Sequence, residues 1–314
     1  MIPAAALLLG VVLVAWWSPH PLSRLTAAGA APGTAIAWWL LTATGVIAGA
    51  IGGVVLLVLP DHGPATAIMR VLHGCWSAVG HGGLPSLDPI VATAAGAVVL
   101  GVGGRLALAS ARRRQRRNLL HRRHLEAPRL SGTTTSRPVP TLWLAENEPI
   151  AYSLGGRRAL IVASTGLKDR LSDAELRAVL AHERAHVHGR HHLLTAVAEV
   201  LGRTLRFLPL MRELPGAVRL LVELSADRTA AGRCGPEPLG SALRSIRAAG
   251  GPRRALAMSG GDTAIRLHWL TTAPEPRSRF ATRLTAVAVG GLALLAPPTV
   301  AAGLVVGTGL ISCP

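Results

Sequence analysis

His182–His192 reads HERAHVHGRHH, and this run fits two metal-site patterns at once. Its first five residues are H-E-x-x-H, two histidines one helical turn apart with a glutamate beside the first. The whole run also satisfies H-E-x-x-H-x-x-G-x-x-H, in which His192 supplies a third ligand. On a helix each residue turns about 100°, so His182 and His186 lie about 40° apart and can share one ion. Neutral imidazoles bind zinc well, and zinc lowers the pKa of its water to about 7. Glu183 projects beside the pair, where it can take a proton from that water and return it to a leaving amine. The spacing therefore predicts His182 and His186 as metal ligands and Glu183 as general base.

The third ligand decides between the patterns. For His192 to serve, Gly189 must end the helix and turn the chain back under the ion. That arrangement goes with a methionine-containing turn downstream, and Met211 and Met258 lie in no such turn. If the helix instead continues, His188 and His192 point roughly 80–120° away from the first pair. VELSADRTA (Val222–Ala230) offers the other answer, on a helical pattern from about Ala217 to Gly232. Glu223 and Asp227 are spaced to share a face. A glutamate ligand followed by an aspartate that steadies a ligand imidazole is a pairing such sites need. Glu223 is the expected third ligand and Asp227 the orienting acid.

Around this core, Ala151–Ser164 (AYSLGGRRALIVAS) reads as two short strands about Gly155-Gly156. Ser172 and Glu175 form a capping box that opens the histidine helix. Tyr152 is the only tyrosine and reads as a packed strand residue.

The bulk numbers set the site in a membrane protein. The 314 residues are half hydrophobic, with mean hydropathy +0.40 and 16% charged, too apolar for an ordinary soluble domain. Four apolar stretches can be read, Ile2–Trp17, Thr34–Leu59, Pro89–Ala109 and Leu284–Cys313, against the roughly 20 helical residues that a span requires. Pro297-Pro298 would kink the last. A cleaved signal peptide is the rival reading of the first stretch, which lacks a positive n-region and a clear cleavage site. RRRQRRNLLHRRH (Arg112–His124) follows the third stretch and should stay cytoplasmic, with both termini outside. Trp16-Trp17 and Trp38-Trp39 flank the inner loop at matching depths. The expected order is three spans in 1–109, a basic segment and linker in 110–140, a cytoplasmic domain in 141–282 and a fourth span in 283–314. The net charge of +17 would suit nucleic acid, but the basic residues cluster beside apolar segments with no RNA-binding signature, so no direct nucleic-acid binding is expected. Cys75, Cys234 and Cys313 make neither a disulfide framework nor a thiolate metal site.

Ser164–His192 (STGLKDRLSDAELRAVLAHERAHVHGRHH), followed by ELSADRTA from Glu223, resembles the membrane-integral zinc peptidases of the BlaR/MecR type and is similar to their HtpX-like relatives. The resemblance implies a mainly α, four-span plasma-membrane protein with an inserted α+β zincin-like peptidase domain. It implies zinc on His182, His186 and Glu223, with Glu183 as base and Asp227 as orienter. It further implies that the strand around Ala159–Ala163, including Ile161, is an edge that pairs with an extended substrate. Protein substrates follow, among them a DNA-binding repressor, with self-cleavage in the 131–140 linker. The alternatives are quality control of membrane proteins and non-catalytic signal transduction. Two departures stand out: no penicillin-binding domain follows the last span before Pro314, and Ala273-Pro274 stands where HtpX-like enzymes commonly show His-Pro.

Overall fold

A computed structural model of the chain describes residues 2–27, 29–58, 133–135, 139–156, 159–248 and 263–272. It adds short helical runs and single helical positions between 97 and 115 and between 288 and 303. The third and fourth apolar stretches lie mostly outside the described residues. The described residues are mostly helical, with one small sheet among them.

The N-terminal layer holds α1 (Ile2–Trp17), α2 (Pro19–Ala27) and α3 (Pro32–Val58). Ala4–Ala27 and Pro32–Leu56 are long and apolar enough to cross a membrane by length and composition. Small residues let α1 and α3 approach closely, as apolar helices without a hydrophobic drive between them require. A Cβ at Gly49 would meet Val11 at 2.8 Å, and one at Gly53 would meet Leu8 at 2.7 Å.

The sheet contains β1 (Thr133–Thr135), β2 (Thr141–Leu144), β3 (Ala151–Leu154) and β4 (Leu160–Ser164), in spatial order β1-β2-β4-β3. β4 runs parallel to β2 and antiparallel to β3. All five residues of β4 are buried, as an apolar LIVAS run at the centre of a sheet should be. β1 falls within the segment expected to be a linker. Its three β-branched threonines suit a pleated strand, and they pair antiparallel with β2.

Among the described residues of the domain, six helices follow: α4 (Thr165–Arg170), α5 (Asp173–His188), α6 (His191–Thr204), α7 (Pro209–Cys234), α8 (Pro236–Ala248) and α9 (Thr263–Thr272). Ser164 ends β4 and caps α4. Its hydroxyl accepts from the Leu167 and Ile150 amides and donates to the Glu148 carbonyl at 2.6 Å. Both halves of the Ser172–Glu175 capping box are present at the start of α5. The helix does not continue past Gly189. Arg190 adopts a left-handed conformation (φ 49°) and α6 begins at His191. α7 starts well before Ala217, because Pro215-Gly216 reads as a break in sequence but lies inside the helix. Pro215 fits there because Gly202 of α6 leaves room for its ring.

Two cores share α7. Its C-terminal part joins the sheet, α5 and α8 through Ala163, Val179, Ala230, Leu239 and Ile246. Its N-terminal part, with Leu210, Leu214 and Val218, joins the apolar layer at Ala15, Trp38, Trp39 and Val46.

A Cβ at Gly202 would collide with Pro215, whereas one at Gly216 would meet nothing within 4 Å. Gly202→Leu is expected to cost about 1–3 kcal/mol through overpacking. Gly216→Ala is expected to be neutral or to stabilise by up to about 1 kcal/mol. Thermal denaturation of the two variants beside the parent checks the pair, and equal melting points would mean that the α6–α7 contact is not close-packed.

Candidate metal centre

α5 and α7 cross so that the histidine face of one meets the acidic face of the other. His182 Nε2 and His186 Nε2 are 3.0 Å apart. Glu223 brings its carboxylate oxygens to 3.5 Å from His182 Nε2 and 3.4 Å from His186 Nε2. Zinc bound tetrahedrally at 2.0–2.1 Å would separate its ligand atoms by about 3.3 Å, so these three donors fit the ion. Among the described residues, His182, His186 and Glu223 form the one group of three whose donor atoms gather in this way.

The surrounding charges have identifiable causes. Asp227 Oδ1 lies 2.9 Å from His182 Nδ1, the ring nitrogen facing away from the donor cluster. Burial pushes the His182 pKa down, but the two acids beside it outweigh burial and bring it up to about 9. Burial, helped by the nearby His182 charge, drives His186 down to about 3, so this ring stays neutral. Burial raises the Asp227 carboxyl, yet His182 and Arg266 win and hold it at about 2. Glu223 is lowered for similar reasons, with burial opposing. Glu183 goes the other way: it is 4% exposed and burial raises it, although it accepts a hydrogen bond from the Ser153 hydroxyl.

Two participants carry no motif. Arg266 of α9 is 1% exposed and grips Asp227 through two hydrogen bonds of 2.7 and 2.6 Å. Its Nη1 also stands 3.1 Å from Glu223 Oε2. A lone arginine between Ile265 and Leu267 gives no sequence signal for this role. His191, buried at the start of α6, places Nδ1 at 2.9 Å from Nδ1 of His186. Burial lowers its pKa to about 4, which keeps the ring neutral beside His186. The left-handed turn at Arg190 aims it there.

The chain does turn at Gly189, but His192 does not join the donor cluster. Its ring lies against Gly155, where a Cβ would collide with it. His188 donates from Nδ1 to the Arg184 carbonyl at 2.7 Å and is exposed. A cleft of about 820 Å³ opens beside the donors, lined by Tyr152, Ser153, Gly155, Glu183, His186 and Glu223 among others. Burial raises the Tyr152 hydroxyl.

The expectation that Ala159, Ile161 and Ala163 form a substrate-pairing edge is corrected for Ile161 and Ala163 by the sheet order, and Ala159 precedes the strand. Ile161 pairs with Thr141 on one side and Ser153 on the other, and Ala163 is likewise flanked by Trp143 and Ala151. Uniformly apolar residues drew this strand to the centre. The edge beside the cleft is β3, whose residues after Ala151 are only partly buried.

Residues 114–219 match the model of peptidase family M48. The match includes His182, Glu183 and His186 and stops short of Glu223. A protein named protease HtpX homolog 2 from Methanosarcina mazei is 38% identical over 85 residues, 24% of this chain and 29% of that protein. A protease HtpX homolog from Persephonella marina is 35% identical over 91 residues, 28% and 27% of the two chains. One from Burkholderia mallei is 36% identical over 73 residues, 22% and 26%. The chain thus aligns with less than a third of these relatives' length. No solved structure matches.

Removing Arg266 leaves two buried carboxylates without their cation. Arg266→Met is expected to destabilise by about 3–5 kcal/mol, the usual cost of breaking a buried pair from one side. Adding Asp227→Asn should recover part of that loss. Equilibrium denaturation of the single and double variants measures both, and a single variant as stable as the parent would show that the guanidinium is dispensable.

Proposed function

From the premise that residues 114–219 carry a peptidase family M48 segment, we propose that this chain is a membrane-anchored, zinc-dependent endopeptidase that cuts protein substrates at the cytoplasmic face. The observation that carries the reading is the convergence of His182, His186 and Glu223 on one point, with Glu183 buried beside them.

His182, His186 and Glu223 would hold the ion, and Asp227 would fix the His182 ring. Bound zinc would supply Lewis acidity and a water that is acidic near neutral pH. Glu183 would accept that proton and deliver it to the departing amine, steered by the Ser153 hydroxyl. Its burial keeps its basicity above that of an ordinary carboxylate. The open side of β3 would pair with an extended substrate backbone, which gives peptide binding without strict sequence preference. A zincin-like α+β domain over 141–282, inserted between the third and fourth of four spans, remains the proposed layout, with β1 of the linker added to its sheet.

Cytoplasmic placement follows from the arginine run at 112–124 and the positive-inside rule. Two substrate classes agree with the site. A dimeric DNA-binding repressor follows from the BlaR/MecR resemblance. Quality control of membrane proteins follows from the HtpX-like one and is favoured by the names of the matched relatives.

Glu183→Gln is expected to abolish proteolysis while keeping the metal. Glu223→Ala and His186→Ala should lose metal, and His192→Ala should retain it. Metal analysis of the purified variants reads the ligand set, and zinc lost only with His192→Ala would overturn it. Comparing protein N-termini in cells with parent or Glu183→Gln chain reads the activity. One missing cleavage indicates a dedicated target and many indicate quality control, whereas an unchanged set would remove the enzyme.

A further inference from the structure

The turn between α6 and α7 carries a surface that the peptidase reading does not use. Phe207, in the four-residue connection after Thr204, is 68% exposed. On α6, Leu193 and Val197 are 42% and 50% exposed, and their spacing puts them on one face. From Val200 to Arg212 the chain has three arginines and no acid. Arg203, Arg206 and Arg212 are all exposed. An exposed aromatic with exposed arginines on both sides of it in the chain is poorly suited to bulk water and well suited to a lipid headgroup layer, where the ring reaches the acyl boundary and the guanidinia meet phosphates.

The hairpin's height agrees. A second cavity, of about 650 Å³, is walled by Ser23, Trp39, Arg203, Arg212 and Arg219 among others, so two of these arginines lie level with Trp39 of α3. Trp39 is two turns into α3, whose 27 residues run about 40 Å against about 30 Å of hydrocarbon, so it stands near the edge of that layer. The cavity also contains Glu199, which pairs with Arg203 at 3.2 Å, and Glu213, so Arg206 at the tip and Arg212 carry most of the free charge. Leu210, Leu214 and Val218 belong to the same buried core as Trp38, Trp39 and Val46, which ties the base of the hairpin to α3. Residues 1–60 contain no Asp or Glu, so nothing acidic in that layer opposes an anionic surface.

We propose that the α6–α7 hairpin docks on an anionic phospholipid bilayer, with Phe207 at the acyl-chain boundary and Arg203, Arg206 and Arg212 on lipid phosphates. The proposal rests on the membrane reading of α1 and α3. It sets the height of the cleft above the bilayer, because α6 and α7 also form two of the cleft's walls.

The test uses the full chain in lipid nanodiscs, with Cys75, Cys234 and Cys313 replaced by serine and Phe207→Cys labelled with bimane. The label is expected to lose fluorescence to doxyl-bearing lipids and to resist aqueous iodide. The loss should be larger in phosphatidylglycerol than in phosphatidylcholine, and this difference should vanish when the three arginines become glutamine. Val12→Cys, on an exposed face of α1, reports the spans independently. Lipid quenching at Val12 with iodide quenching at Phe207 would overturn the docking and leave the membrane reading intact. Iodide quenching at both would remove the membrane reading itself. Protection of Phe207 from both quenchers would mean that protein covers the tip, which also overturns the proposal. An Arg206→Cys label must give the same pattern, which guards against a local disturbance at Phe207.

Discussion

The structure depends on keeping three carboxylates in one buried place. Glu183, Glu223 and Asp227 stand within the crossing of α5 and α7, and a cluster of like charges out of water is unstable without compensation. Arg266 supplies one positive charge from α9, with contacts to two of the acids. A divalent cation among His182, His186 and Glu223 would bring the sum to zero. His182, whose acidic neighbours hold it protonated up to about 9, shows that the site draws positive charge to that point. A proton and an ion would compete for the same ring nitrogen, so binding an ion there would release a proton.

α7 makes the second constraint. At 26 residues it is about 39 Å long, and one helix serves two environments. Its first half is packed by Trp38, Trp39 and Val46 of the apolar layer, and its second half presents Glu223 and Asp227. A displacement of α3 along or around its axis therefore bears directly on the helix that carries Glu223, the proposed third ligand. The close approach of Gly202 to Pro215 couples α6 to the same motion, and α6 carries His191 and His192 at its start.

Sequence legibility followed how local each signal was. The β3 and β4 strands, the capping box and the start of α5 were readable because their causes lie within a few residues. The donors His182 and His186 were readable for the same reason, and Glu223 and Asp227 because a helical spacing fixed their common face. Arg266 was not, since its role exists only where α9 meets α7. The sheet order was also hidden: a buried central strand and a short edge strand look alike until both partners of Ile161 are known. The break at Gly189-Arg190 was read as one branch of a choice. The turn occurs, but it delivers His191 to His186 and leaves His192 against Gly155, an outcome that neither branch contained.

That outcome makes the two imidazole donors unequal. His182 is fully buried and faces a carboxylate held by an arginine, which orients the ring and increases its basicity. His186 faces a neutral imidazole, a weaker partner, and its side chain keeps 14% exposure toward the cleft. Neither burial nor its partner favours a proton on His186, so this ring remains a free donor across the physiological range. An ion held as proposed, entering from the cleft, would meet the neutral His186 nitrogen first and would displace a proton only at the deeper His182. That difference between the two rings comes from the turn at Arg190 and the acids of α7 together, and neither element alone would produce it.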